Sequence, residues 1–276
     1  VLSASKNDSK IAWYENNGSE SFTEHSISTS AAGAKTVYAV DVDGDGDMDV
    51  LSASEEDDKI AWYENDGSES FTEYAISTSA NYAYSVYAAD VDGDGDMDVL
   101  SASRDDSKIA WYENDGSESF TEHAISTSAS GAISVYAADV DGDGDMDVLS
   151  ASLWDAKIAW YENDGSESFT EYAISTSAEG AWSVHAADID GDGDMDVLSS
   201  CDEPGNKIAW YENNGSESFT EHVISTSALG AHSAHAEDVD GDGDMDVLSA
   251  SADDDKIAWY ENECSANGLA IYMYDS

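Results

Sequence analysis

Asp41-Val42-Asp43-Gly44-Asp45-Gly46-Asp47-Met48-Asp49 decides how this chain folds, because the pattern returns from Asp90, Asp139, Asp188 and Asp238. The steps are 49, 49, 49 and 50 residues, and the extra residue falls in Cys201-Asp202-Glu203-Pro204-Gly205-Asn206. Two other stretches keep the same beat. Lys-Ile-Ala-Trp-Tyr-Glu-Asn starts at Lys10, Lys59, Lys108, Lys157, Lys207 and Lys256, and Ser-Phe-Thr-Glu starts at Ser21, Ser70, Ser119, Ser168 and Ser218. A tandem period of this length marks a repeat architecture in which each copy is one supersecondary unit.

Each copy reads as four short strands separated by turn residues. In the third, strand A is Ser134 to Ala138, strand B follows the Asp-rich loop at Asp147 to Ser152, strand C is Lys157 to Glu162 and strand D is Phe169 to Ile174. No segment carries a helical period. Four strands per repeat of this length predict an all-β fold, a β-propeller of four-stranded antiparallel blades forming a single domain over residues 1–276. Counting gives five A, six B, six C and five D strands. The tail Leu269 to Tyr274 supplies one more, either as the last D strand or by crossing over to the first blade. Six blades are expected.

The loop sets carboxylates at its first, third, fifth and ninth positions. These are Asp41, Asp43, Asp45 and Asp49; Asp90, Asp92, Asp94 and Asp98; Asp139, Asp141, Asp143 and Asp147; Asp188, Asp190, Asp192 and Asp196; and Asp238, Asp240, Asp242 and Asp246. The seventh residues, Asp47, Asp96, Asp145, Asp194 and Asp244, are placed to offer a backbone carbonyl. Alternating acids on a glycine-rich turn bring several oxygens to one point, and an all-oxygen set suits Ca²⁺ over Mg²⁺. About five ions are expected. An EF-hand is excluded, because its bidentate Glu would fall at Ser52 and strands, not helices, flank the loop.

This loop between two strands, repeated in tandem, resembles the FG-GAP and VCBS-type repeats, the calcium-binding propellers of integrin α chains and of many secreted microbial and fungal proteins. The resemblance spans essentially the whole chain. It implies calcium ligands at the first, third, fifth, seventh (carbonyl) and ninth positions of all five loops. The chain departs from the family's usual turn at Ser52-Ala53-Ser54, and members range from adhesion modules and lectins to domains attached to enzymes.

Nine Lys and Arg stand against 61 Asp and Glu, a formal net charge of −52. Such acidity argues against nucleic acid and anionic membranes as partners. Five divalent ions would bring the charge to −42. No apolar run is long enough to insert into a membrane. Three Asn-X-Ser sequons, at Asn7, Asn17 and Asn214, suit a secreted, extracellular protein. Cys201 and Cys264 leave open one bridge or two thiols.

The copies provide their own comparison. They differ chiefly in the B–C turn and in the D–A connection, where one column reads Lys35, Tyr84, Ile133, Trp182, His232. Both connections emerge on one face of a blade, so Tyr84, Trp154, Trp182 and His232 are candidate ligand contacts. The plainer reading is drift on tolerant turns. The repeated Trp of strand C is expected to pack between blades, with equivalent sugar pockets as the sharper alternative. Catalysis needs a unique constellation, and the few unrepeated polar residues (His185, His232, His235, Glu237 and Cys201) do not suggest one. The expectation is therefore a calcium-binding, multivalent recognition module that is not an enzyme and binds a glycan or glycoprotein, with protein adhesion as the alternative.

Overall fold

The computed structural model describes residues 1–265 and 268–274, with side chains described through residue 263. The state of Cys264 therefore lies outside the described side chains. Two compact units divide the chain, Val1–Val135 and Tyr136–Ser276. The strands of each follow the beat of the sequence.

In the first unit, one sheet holds β1 (Leu2–Ser5), β2 (Lys10–Asn16) and β3 (Phe22–Ser28). The next holds β4 (Ala34–Val40), β5 (Asp49–Ser54), β6 (Lys59–Asn65) and β7 (Phe71–Ser77). A third holds β8 (Ala83–Ala89), β9 (Asp98–Ser103), β10 (Lys108–Asn114) and β11 (Phe120–Ser126). The unit boundary falls within β12 (Ala132–Ala138), which pairs with β13 (Asp147–Ser152), β14 (Lys157–Asn163) and β15 (Phe169–Ser175). The second unit continues with β16 (Ala181–Ala187), β17 (Asp196–Cys201), β18 (Lys207–Asn213) and β19 (Phe219–Ser225), and then β20 (Ala231–Glu237), β21 (Asp246–Ser251), β22 (Lys256–Ser265) and β23 (Gly268–Tyr274). The six antiparallel sheets are the blades of an all-β propeller, and no helix occurs among the described residues. The tail pairs with β22 as the last D strand, so the first blade is the three-stranded one.

Burial explains the strand sequences. The B strands read Asp-Val-Leu-Ser-Ala-Ser and are buried at every residue in β5, β9 and β13. A strand covered on both faces has no place for alternation, and small serines let neighbouring sheets approach. The D strands end each blade and stay largely exposed, with Thr and Glu along Phe71–Ser77 and its equivalents. Charge on an edge strand discourages pairing with another chain.

Within each unit, the core lies between successive blades. Val42, Leu51, Ile60, Trp62, Val86, Val99 and Tyr112 form one such layer, and Val140, Leu149, Ile158, Trp160, Val184, Val197 and Tyr211 form its counterpart. A hydroxyl on strand A ties neighbouring blades. Thr36 Oγ1 donates to the Tyr84 carbonyl (3.3 Å) and accepts from Val86 N (3.2 Å), and Ser183 Oγ accepts from Ala234 N (3.2 Å).

The strand-C lysines differ from a simple solvated strand end. Lys59, Lys108 and Lys157 each reach a D-strand glutamate, Glu73, Glu122 and Glu171, at 2.7 Å. Burial alone would lower the Lys59 ammonium, but Glu73 and Asp57 hold it above its ordinary value.

Candidate functional site

The Asp-rich loops join strands A and B, and their shape comes from short local bonds. In the first loop, Asp41 accepts from the amides of Gly44 (2.9 Å) and Gly46 (3.0 Å). Asp43 accepts from Asp45 N (3.1 Å), and Asp45 from Asp47 N (2.8 Å). Gly44 and Gly46 sit at φ 75° and 97°, backbone angles that L side chains rarely adopt.

The ninth residue anchors the loop. Asp49, Asp98, Asp147 and Asp196 are fully buried. One oxygen of Asp98 accepts from Asn114 N (2.8 Å) and the other from Val91 N (3.0 Å), and the same pair of bonds recurs in every loop. Burial pushes Asp98 and Asp147 up to about 6 and Asp196 up to about 7, against the backbone bonds that favour their anions. Burial first, and then neighbouring aspartates, also raise Asp43, Asp92 and Asp141.

Three carboxylates gather in each loop with ligand atoms within 4.8 Å of one another. They are Asp41, Asp43 and Asp45; Asp90, Asp92 and Asp94; Asp139, Asp141 and Asp147; Asp188, Asp190 and Asp196; and Asp238, Asp240 and Asp246. The donor set fits a hard divalent cation. It is all oxygen, it is pre-shaped by backbone bonds, and the electrostatic cost of gathering it is what such a cation removes. Asp90 adds an independent sign: its Oδ1 is buried without a hydrogen-bond partner among the described residues.

The seventh residue points elsewhere, in keeping with a role for its carbonyl alone. A Cβ on Gly67 would clash with the Asp47 carboxylate, and the same holds for Gly116 with Asp96, Gly165 with Asp145 and Gly215 with Asp194. That side chain therefore lies against the C–D turn of its own blade.

The loops are also latched to the next blade by a residue not singled out from the sequence. Asn114 Nδ2 donates to the Met97 carbonyl of its own loop and to the Val42 carbonyl of the preceding one, both at 3.2 Å. Asn213 bridges Met195 and Val140, and Asn262 bridges Met245 and Ile189. The signal was the fixed Asn that closes every strand C.

Trp62, Trp111, Trp160 and Trp210 pack as expected, whereas Trp13 and Trp259 are half-buried and Trp13 lines a cavity of about 260 Å³. Trp62, Trp111 and Trp160 are only 1% exposed. Tyr74, His123 and Tyr172 stack on them at 4.7–5.0 Å, and Phe120 and Phe219 close Trp62 and Trp160 edge-on. The crevices left beside Trp62 and Trp160 hold about 50 Å³ each, far below the several hundred Å³ of an ordinary ligand pocket.

The variable turns do come together. Glu55 N and Glu56 N bond the carbonyls of Gly33 and Ala32, and Arg104 N and Asp105 N bond those of Tyr82 and Asn81. Trp154 is 56% exposed. The column expected on the D–A connection lies instead at the second residue of each A strand, and there Trp182 of β16 and His232 of β20 stack face to face at 4.0 Å, with His232 3.6 Å from Asp202. His235 instead packs on His185 at 4.4 Å.

In the first unit, Tyr84 lies under the Lys35 ammonium (4.5 Å) and beside Tyr82 (6.5 Å between ring centres), while the Arg104 guanidinium covers Tyr82 at 3.5 Å. Tyr82 was missed by the sequence reading. It sits at φ 58°, where the other four copies place Gly33, Gly131, Gly180 and Gly230. Among the described residues, the other eleven non-glycine residues at positive φ occupy two turn positions shared by the copies. A left-handed tyrosine costs about 1–2 kcal/mol.

These features define a β-propeller with a candidate metal loop between the A and B strands of five blades. The chain belongs to the FG-GAP-like repeat family, whose model matches residues 1–52, 41–101, 90–150, 143–199 and 199–249. No protein of curated function matches the sequence. Among solved structures, a candidate 6-phosphogluconolactonase from Bacteroides uniformis is similar with a TM-score of 0.70 at 14% identity, over 99% of this chain and 81% of that one. The periplasmic gluconolactonase PpgL of Pseudomonas aeruginosa gives 0.68 at 11%, over 96% and 77%. The six-bladed fucose-recognising lectin of Aleuria aurantia gives 0.58 at 14%, over 98% and 89%. At these identities the likeness is one of fold.

The lactonase neighbours correct one expectation. The chain was expected not to be an enzyme because it repeats itself, yet proteins named as lactonases share this fold. A repeated framework does not exclude chemistry, because a few varying loop residues can supply it while the strands stay unchanged.

Proposed function

We propose that the chain is an extracellular calcium-binding propeller that recognises carbohydrate through its B–C turns and the starts of its A strands. Asp41, Asp43, Asp45 and Asp49 and their equivalents would hold the ions, together with the carbonyls of Asp47, Asp96, Asp145, Asp194 and Asp244. Calcium supplies charge neutralisation and rigidity there, stiffening each A–B connection. The observation that carries the recognition reading is the exposed ring of Trp154 and the half-exposed Trp182–His232 stack. Trp154 lies on a B–C turn and Trp182 and His232 at the starts of β16 and β20, positions that vary between copies whose frameworks are otherwise almost constant. Aromatic faces with polar neighbours such as Asp202 suit the mixed apolar and hydroxylated surface of a sugar.

A glycan array probed with calcium-loaded protein, and again in chelator, tests this. A calcium-dependent hit that weakens at least tenfold in Trp154→Ala or Trp182→Ala supports it. A blank array from folded, calcium-loaded protein sinks the glycan reading and turns the search to a protein partner on the same turns.

A further inference from the structure

Six of the nine basic residues are the repeated strand-C lysines; the other three, Lys6, Lys35 and Arg104, come from separate segments and meet in one place. Lys6, Glu55 and Arg104 occupy the same B–C turn position in three successive blades, and Lys35 and Tyr84 the same strand-A position in two. Glu55 is buried at 3% exposure and forms ion pairs with both Lys6 and Lys35, the latter at 3.0 Å. Its side chain is 1% exposed, while those of Lys6, Lys35 and Arg104 are 46%, 19% and 25% exposed. The counter-charge therefore lies beneath the patch, and the half-buried rings of Tyr82 and Tyr84 lie under the Arg104 and Lys35 groups. Asp105, paired with Arg104 at 2.9 Å, and exposed Glu56 flank it.

Tyr82 completes the arrangement from a backbone conformation that the other copies give to glycine, with its ring beneath the Arg104 guanidinium. Residues held in such a conformation cluster where a site needs a particular side chain. Nothing in the repeat's own packing needs one here, since four copies do without it.

We propose that Lys35, Tyr82, Tyr84 and Arg104, with Lys6, form a binding site for a single carboxylate-bearing sugar of the hexuronate class. The carboxylate would meet the Lys and Arg groups that cover the tyrosines, and the pyranose C–H face would lie along the parts of the Tyr82 and Tyr84 rings that those groups leave open. A long polyanion is disfavoured by the formal charge of −52, whereas one acidic residue meets only the local cations. The assignment rests on the carbohydrate reading above and narrows it to one ligand class at one place.

Titration calorimetry of the calcium-loaded full chain with methyl β-glucuronide, methyl β-glucoside and acetate tests the proposal. The glucuronide is expected to bind at least tenfold more tightly than either control, and more weakly as salt is raised. Arg104→Ala and Lys35→Ala should each weaken it about tenfold. Tyr82→Gly should abolish it while leaving the melting temperature unchanged or higher, which separates lost recognition from lost folding. Equal binding of glucoside or acetate, no binding of glucuronide, or glucuronide binding unmoved by Tyr82→Gly would each overturn the site. If neutral glycans bind at Trp154 and Trp182 while the glucuronide does not, this site fails and the broader carbohydrate reading survives. If no sugar of either kind binds, both fail.

Discussion

Replacing Asn114 with alanine should destabilise the protein about twice as much as replacing Asn65, although both close the same strand-C motif. Asn114 Nδ2 serves two carbonyls, Met97 of its own loop and Val42 of the preceding blade. Among the described residues Asn65 Nδ2 serves only Met48 (3.1 Å), because the preceding blade, β1–β3, carries no Asp-rich loop. A net hydrogen bond contributes about 1 kcal/mol, and leaving a buried carbonyl unpaired costs about 1–3 kcal/mol. Asn114→Ala should therefore cost roughly 2–4 kcal/mol and Asn65→Ala about half that. For a chain of this size the first lowers the melting temperature by roughly 5–10 °C. Calorimetric melts of both variants in excess calcium make the comparison. Equal losses would mean that the contact across blades adds nothing, and the latch would have to be abandoned.

Two further outcomes follow from particular residues. Gly18 and Gly67 share φ 73°, but a Cβ meets nothing within 4 Å at Gly18 and meets the Asp47 carboxylate at Gly67. Gly67→Ala should therefore cost more than Gly18→Ala in urea melts, and equal costs would remove Asp47 from that position. His185 is lowered by burial, and then by His235, to about 4 from 6.5. Because the folded value is the lower one, its contribution is fully present above pH 6.5 and is lost as pH falls from 6.5 towards 4. The loss is on the order of 2–3 kcal/mol. His185→Tyr, the residue found at Tyr38, Tyr87 and Tyr136, should flatten that part of the stability profile relative to the parent. Superimposable profiles would refute it.

The repeat length, strand order and Asp loops were legible because each is written in residue types that local chemistry constrains. Asp at alternate positions with Gly between them has few other structural uses. The tail's role was not legible, since a hairpin and a crossover demand the same strand-like residues; the pairing of β23 with β22 settles it. The lysine ion pairs were hidden because Lys108 meets Glu122 only through the register of β10 on β11, which shifts between Ile109 and Ala110. Their constant spacing of 14 residues was the available clue. Asn114 looked like a strand end because its partner carbonyl lies 72 residues away. Tyr82 looked like one more variable residue, and only its backbone angle distinguishes it from its neighbours. Enzymatic activity was set aside on the repetition of the framework, an argument that does not reach the varying turns.

The most direct test of the account is to melt the protein with excess calcium and again with excess chelator, while counting bound ions by calorimetric titration. Each occupied site contributes about 2.7 kcal/mol at a hundredfold excess over its Kd, so five sites should raise the melting temperature steeply with calcium. About five ions bound, with a large fall in chelator, is the expected result. A melting temperature indifferent to chelator, or no measurable calcium uptake, would contradict the metal assignment on which the functional proposal rests.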